Sequence, residues 1–177
     1  MKIIDTKIQE VKIIEPKVFG DSRGFFLETF QEKRYCEMLN IRNKFVQDNH
    51  SRSTQGVLRG LHFQKLKPQG KLVRVVRGEV FDVAVDIRTG SPTFGQWEGV
   101  ILSEDNHLQF WVPPGFAHGF LVLSEIADFE YKCTDYYDSS DEGSIRWNDP
   151  TININWPMID NITLSPKDEK APLLFDI

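Results

Sequence analysis

Residues 57–71 read V-L-R-G-L-H-F-Q-K-L-K-P-Q-G-K, bringing Arg59, His62 and Lys71 together within fifteen residues. A guanidinium fork can grip phosphate, an imidazole can move a proton near neutral pH, and an ammonium can steady a developing oxyanion. These are three working parts of a carbanion-forming enzyme. Each alone would be an ordinary strand or surface residue.

The elements that must hold these residues read as β-structure. Gly and Pro punctuation recurs at short intervals, with no repeat, low-complexity tract or linker, which is the rhythm of an all-β sandwich or barrel. The clearest predicted strand covers 79–88, where Phe81, Val83, Val85 and Ile87 alternate with Val80, Asp82, Ala84 and Asp86. Further strands are expected at 72–76, 99–102, 109–112, 120–123 and 127–134. Two short helices accompany them. Thr29 with Glu32 makes a capping box ahead of Tyr35, Met38 and Leu39, predicting a helix that ends near Asn40. Ser165 followed by Pro166 spells a second helix start.

Strict alternation over 57–64 sets Arg59 and His62 on opposite faces of their strand. Gly60, between them, offers a bulge or bend that would rotate one relative to the other.

Composition bounds the rest. The 177 residues suit one domain, 1–177, with a sizeable core. The net charge of −5 gives nucleic-acid binding no global electrostatic support. Residues 51–78 nevertheless hold seven basic side chains and no acid. Lys65 and Lys67 there read as solvated loop charges, whereas Arg59 and Lys71 sit among strand residues. Neither an apolar signal core nor a run near the roughly 18 apolar residues of a membrane span is visible, so a cytoplasmic protein is expected. Cys36 and Cys133 form no C-x-x-C motif or disulfide framework and read as small buried side chains.

Eight collinear segments carry a resemblance: PKVFGDSRGFFLETF (16–30), FVQDNHS (45–51), VLRGLHFQ (57–64), QGKLVRVVRGEVFDVAVDIR (69–88), SPTFGQW (91–97), PPGFAHGFLVLSE (113–125), YKCTDYY (131–137) and SPKDEKAPLL (165–174). In this order they are similar to the dTDP-4-dehydrorhamnose 3,5-epimerases. The resemblance implies an all-β cupin-type jelly roll with a few short peripheral helices and a homodimer with exchanged N-terminal strands. It also implies dTDP-4-dehydro-6-deoxy-D-glucose as substrate, with no cofactor and no metal.

A 4-keto sugar has acidified C–H bonds at C3 and C5, because loss of either proton leaves charge that the carbonyl spreads as an enolate. Inversion needs a base on one face, a cation at the oxyanion, and an acid on the other face. The resemblance makes His62 the base, Lys71 the enolate cation and Tyr131 the opposing acid. Tyr131 also shares a strand face with Phe129 and Cys133, the face expected inside a barrel. Asp168 has two readings: the third residue after Ser165 completes a capping box, and the resemblance pairs it with His62 to fix the imidazole tautomer. The two roles are compatible, since a carboxylate has two oxygens.

Neither a P-loop nor a G-x-G-x-x-G cradle is present, so side chains must hold the diphosphate. The resemblance assigns Arg23 and Arg59 to it. Glu28, Gln47, Asp48, Asn49, Lys71, His118, Glu142 and Lys167 match further substrate-binding positions, and Tyr137 one that stacks on thymine. Without the resemblance, Glu28, Glu142 and Lys167 read as surface charges.

Other functions remain on the table. Pro113, Gly115 and His118 fit the second cupin motif, but the first would need H-x-H where this chain has His62, Phe63 and Gln64, which leaves few ligands for a transition metal. A noncatalytic carbohydrate-binding jelly roll is a second rival, and a relative that inverts only C3 or only C5 is a third.

Overall fold

The computed structural model describes all residues, 1–177. Thirteen strands follow one another with two short helices: β1 (Lys2–Asp5), β2 (Lys12–Glu15), β3 (Val18–Asp21), β4 (Gly24–Leu27), helix α1 (Glu32–Leu39), β5 (Gln47–Thr54), β6 (Leu58–Gln64), β7 (Lys71–Arg77), β8 (Glu79–Asp86), β9 (Trp97–Ser103), β10 (Gln109–Val112), β11 (Phe116–Val122), β12 (Ile126–Cys133), β13 (Glu142–Ser144) and helix α2 (Pro166–Glu169). They build a six-stranded sheet in the order β1-β2-β10-β7-β12-β5 and a five-stranded sheet in the order β13-β6-β11-β8-β9. Stacked face to face with antiparallel neighbours, these sheets form the expected cupin-type jelly roll.

Side-chain alternation sorts the chain into three packed layers. Val73, Val75, Phe110 and Phe129 of the six-stranded sheet meet Val80, Ala84, Phe116 and Phe120 of the five-stranded sheet between the two. Phe120 and Phe129 stack with ring centroids 4.2 Å apart. On the far side of the five-stranded sheet, Leu61, Val83, Val85 and Ala117 are covered by Ile145, Ile152 and Leu174. On the far side of the six-stranded sheet, Ile14, Leu72 and Trp111 are covered by Tyr35 and Leu39 of α1. Both faces of β8 are therefore largely buried, and its even positions, including Asp82, point between the sheets.

One expectation changes. Helix α1 is capped by Gln31, not Thr29: Gln31 is extended and its side-chain oxygen accepts the Arg34 amide at 2.6 Å. The Thr29 carbonyl instead accepts from Gln109 Nε2 at 2.8 Å, which ties the chain before α1 to the six-stranded sheet. In the single chain, β1 pairs with β2 and β2 with β10. The element standing apart is the β3–β4 hairpin, a two-stranded sheet of its own.

Candidate active site

The anomaly in β6 creates the site. In its pairing with β11, His62 lies opposite His118 and Arg59 opposite Phe120, so three steps along β6 are matched by two along β11. The extra residue resets the alternation, and Arg59 and His62 emerge on the same side. Gly60 is the residue that permits it. Its φ is +129°, and a Cβ there would sit 2.6 Å from the Gly119 Cα and 2.8 Å from the His118 carbonyl oxygen. Arg59 and His62 consequently line one cleft with Lys167 and Asp168, as the family resemblance required.

On the β6 wall, His62 Nε2 lies 2.5 Å from Asp168 Oδ1. Asp168 is delivered by α2, whose N-cap Ser165 accepts the Asp168 amide at 3.1 Å. Both readings of Asp168 are thus partly realised: its backbone is capped, while its carboxylate goes to the histidine. Burial pushes that carboxyl up, but hydrogen bonds from His62, Ser165 and the Gly60 amide outweigh burial and leave it below the usual carboxylate range. An ionised carboxylate can only accept, so Nε2 carries the ring proton and Nδ1 keeps the lone pair. The imidazole is 29% exposed, and Nε2 is its only hydrogen-bonded ring nitrogen within the chain.

The six-stranded sheet supplies the opposite wall. Registers pair Tyr131 with Val73 and Asn49, and Cys133 with Lys71 and Gln47, so Lys71, Tyr131, Cys133, Gln47 and Asn49 share the inward face. Gln47 donates to Asn49 Oδ1 at 3.0 Å, and Asn49 Nδ2 lies 3.6 Å from Cys133 Sγ. Burial raises the Tyr131 hydroxyl to about 12 against the pull of Arg59, which keeps it a protonated donor at neutral pH. Burial raises the Cys133 thiol to about 11, so it is neutral as well. Lys71 makes no direct ion pair. Burial lowers its ammonium, while the fields of Cys133, Asp82 and Glu142 act the other way.

The floor is His118, whose Nε2 lies 3.0 Å from each oxygen of Asp82. Asp82 was not among the residues singled out in the sequence. Its signal was there, as a charged residue in a strand with large apolar side chains at alternate positions. No three His, Cys, Asp or Glu side chains are gathered in a metal-binding arrangement.

The rim closes with Tyr137, whose hydroxyl donates to Glu142 Oε2 at 2.9 Å, and with Lys167, which pairs with the same carboxylate oxygen. The Tyr137 amide donates to Gln47 Oε1 at 2.9 Å, fastening the rim to β5. Arg59 Nε donates to Ser53 Oγ at 3.0 Å.

Three expected residues are not brought to this cleft. Asp48 alternates with Gln47 and Asn49 and faces outward, where it holds Lys132 at 3.0 Å. Arg23 sits at the tip of the β3–β4 hairpin on Asp21, and Glu28, just beyond the hairpin, pairs with Arg34.

A hydrogen-bonded imidazole on one wall, a tyrosine and a lysine on the other, and cations at the rim make this a jelly-roll isomerase that works by proton transfer. The comparisons agree. The sequence profile of the family described as dTDP-4-dehydrorhamnose 3,5-epimerase matches residues 5–176. The dTDP-4-dehydrorhamnose 3,5-epimerase of Salmonella typhimurium is 59% identical over 175 residues, 98% of this chain and 96% of that one. A crystal structure of dTDP-6-deoxy-D-glucose-3,5-epimerase from Legionella pneumophila, in complex with dTDP-4-keto-L-rhamnose, superposes with a TM-score of 0.97. It shares 64% identity and covers 98% of this chain and 93% of that one. A 3′-monoepimerase from Streptomyces bikiniensis, in complex with dTDP-quinovose, gives a TM-score of 0.90 at 33% identity, covering 97% and 87%. The chain belongs to the dTDP-4-dehydrorhamnose 3,5-epimerase family.

Proposed function

We propose that this chain inverts C3 and C5 of dTDP-4-dehydro-6-deoxy-D-glucose to give dTDP-4-dehydro-L-rhamnose, a step toward dTDP-L-rhamnose, using its own side chains. The observation that carries this reading is the His62–Asp168 pair on one wall facing Tyr131 and Lys71 on the other. His62 Nδ1 takes the proton from the carbon beside the ketone. The C–H electron pair moves into the enolate, whose oxygen Lys71 stabilises, and Asp168 supports the imidazolium. Tyr131 returns a proton to the opposite face. No electrons leave the sugar, and the net change is stereochemical.

Arg59 and Lys167 suit the diphosphate, with Gln47, Asn49, His118 and Glu142 around the sugar nucleotide and Tyr137 at the base. A dTDP-sugar substrate goes with a cytoplasmic setting, and no helix here is long and apolar enough to cross a membrane. Incubation with the substrate in D₂O, followed by NMR, tests the reaction. Deuterium at both C3 and C5 supports it, deuterium at one carbon demotes it to single-centre epimerisation, and none at either overturns it.

We further propose a homodimer in which the β3–β4 hairpin carries Arg23, with Glu28 following it, to the second copy's cleft. The hairpin leaves Phe19, Phe25 and Phe26 between 52% and 69% exposed, and its arginine, paired with Asp21, is still 88% exposed. Mixing Arg23→Ala and His62→Ala subunits tests this. Activity restored by the mixture supports sharing between subunits, and two variants that stay inactive when mixed overturn it.

A further inference from the structure

The segment that carries Tyr137 runs between β12 and β13 and belongs to neither, so no sheet ladder fixes its place. Its backbone amides still need partners. Those of Tyr136, Tyr137 and Asp138 all donate to side-chain oxygens: to Asp135 Oδ1 at 2.8 Å, to Gln47 Oε1 at 2.9 Å and to Gln64 Oε1 at 2.7 Å. Side chains, not strand pairing, set the course of this stretch.

Gln64 acts on both flanks of the tyrosine. Besides accepting the Asp138 amide, its Nε2 donates to the Tyr136 carbonyl at 3.2 Å and to the Lys67 carbonyl at 2.9 Å, so one buried carboxamide grips the main chain before and after Tyr137. Both of its N–H donors are engaged. We propose that Gln64 is a positioning residue for the nucleotide: it fixes the main chain around Tyr137 so that the ring stands in place for the thymine base before the substrate arrives. This rests on the reading of Tyr137 at the base.

The surrounding geometry points the same way. Gln64 ends β6, two residues after His62, and lies opposite Glu142 in the β6–β13 pairing. Glu142 in turn accepts the Tyr137 hydroxyl, so two cross-strand neighbours hold one residue, Gln64 by its main chain and Glu142 by its side chain. A ring held at both ends has little freedom left to lose on binding. The strand that carries the imidazole thus also carries the hold on the base platform. Where the metal-holding cupin motif has its second imidazole, this chain has an amide whose hydrogen bonds all go to main chain. Loss of that amide should weaken the grip on the nucleotide and spare the proton transfers at the sugar.

The test is calorimetric binding of dTDP, with kcat and KM, for Gln64→Met, Tyr137→Ala and the double variant. Tyr137→Ala is expected to weaken dTDP binding about thirtyfold, by loss of base stacking. Gln64→Met should weaken it about tenfold, with KM rising in parallel and kcat within about threefold of wild type. In the Tyr137→Ala background the Gln64 substitution should cost no more than about twofold, because the ring through which it acts is gone. Wild-type dTDP affinity in Gln64→Met, as for an amide that serves stability alone, overturns the proposal. So does an equal loss in both backgrounds. Should Gln64→Met fail to fold, Gln64→Asn serves: its carboxamide is one methylene short of the Tyr137 flanks and should weaken dTDP by about threefold or more, and wild-type affinity there refutes the proposal. Tyr137→Ala separates the two readings. Undiminished dTDP binding in that variant rejects Tyr137 at the base and the proposal with it, whereas a loss there with none in Gln64→Met rejects Gln64 alone.

Discussion

The cleft contains two histidine–aspartate pairs made from the same atoms. In one, His62 meets a single oxygen of Asp168 at 2.5 Å, and the partner arrives from helix α2, 106 residues further along the chain. In the other, His118 sits 3.0 Å from both oxygens of Asp82, and both residues belong to neighbouring strands of one sheet. The His62 ring is 29% exposed and the His118 ring 7%. What separates them is therefore access and surrounding charge. The open pair can exchange a proton with a ligand, whereas the closed one can only hold something still. Residue identity decides neither role.

The sharpest way to break this contrast is at the bases themselves. His62→Ala should lower deuterium exchange at C3 and C5 by about 10³-fold or more, whereas His118→Asn should cost about tenfold, mostly in binding. Equal losses in the two variants, followed by NMR in D₂O, would erase the distinction. Asp168→Asn comes next, with a loss of about 10²- to 10³-fold, because the amide no longer forces the proton onto Nε2.

The same variant checks the sign of the linkage. Asp168 is held below its ordinary value, so the stability that it lends is present above the unfolded value of about 4 and is lost as pH falls through the folded one. Thermal unfolding should show the gap between wild type and Asp168→Asn at pH 6 to 7 narrowing below about pH 4. A gap that widens on acidification contradicts the assignment.

Tyr131→Phe tests the far wall against the near one. Product formation should fall about 10²-fold while exchange of the abstracted proton falls less, since His62 is untouched; parallel losses would deny Tyr131 its role as acid. The smallest effect is expected at Asp48→Asn. Its carboxylate is on an exposed pair with Lys132, worth at most about 1 kcal/mol, and turnover should stay within about twofold. A large loss there would mean that the outer face of β5 reaches the substrate.

The strands with apolar alternation, β7 to β12, were legible because their buried faces meet an apolar core. Strand β5 was not. Its sequence QDNHSRST is polar on both sides, since one face lines the cleft with Gln47 and Asn49 and the other carries Asp48, His50 and Arg52 against β12. Propensity has no signal for a half-exposed strand that is placed by its pairing with β12 rather than by oil. Among the residues that the resemblance named, register brings His62, Lys71 and Tyr131 to one cleft. Asp48 is turned outward, because adjacency in sequence means opposition in a strand, and Asp82, a carboxylate in an apolar strand that no motif marked, lies under the cleft on His118. The place of Arg59 depended on Gly60, and a glycine announces freedom without saying how it is used.

That glycine can also be viewed as punctuation in a code. From Leu61 onward, β6 is read one frame out of step with what came before, and nothing later in the strand restores it. Were the same residues to alternate without the bulge, in phase with Arg59, the imidazole of His62 would point into the oily layer under Ile145, and Leu61 and Phe63 into the cleft. Composition would not change at all, yet the catalyst would be written as its own complement. Along this strand, catalysis is a matter of counting.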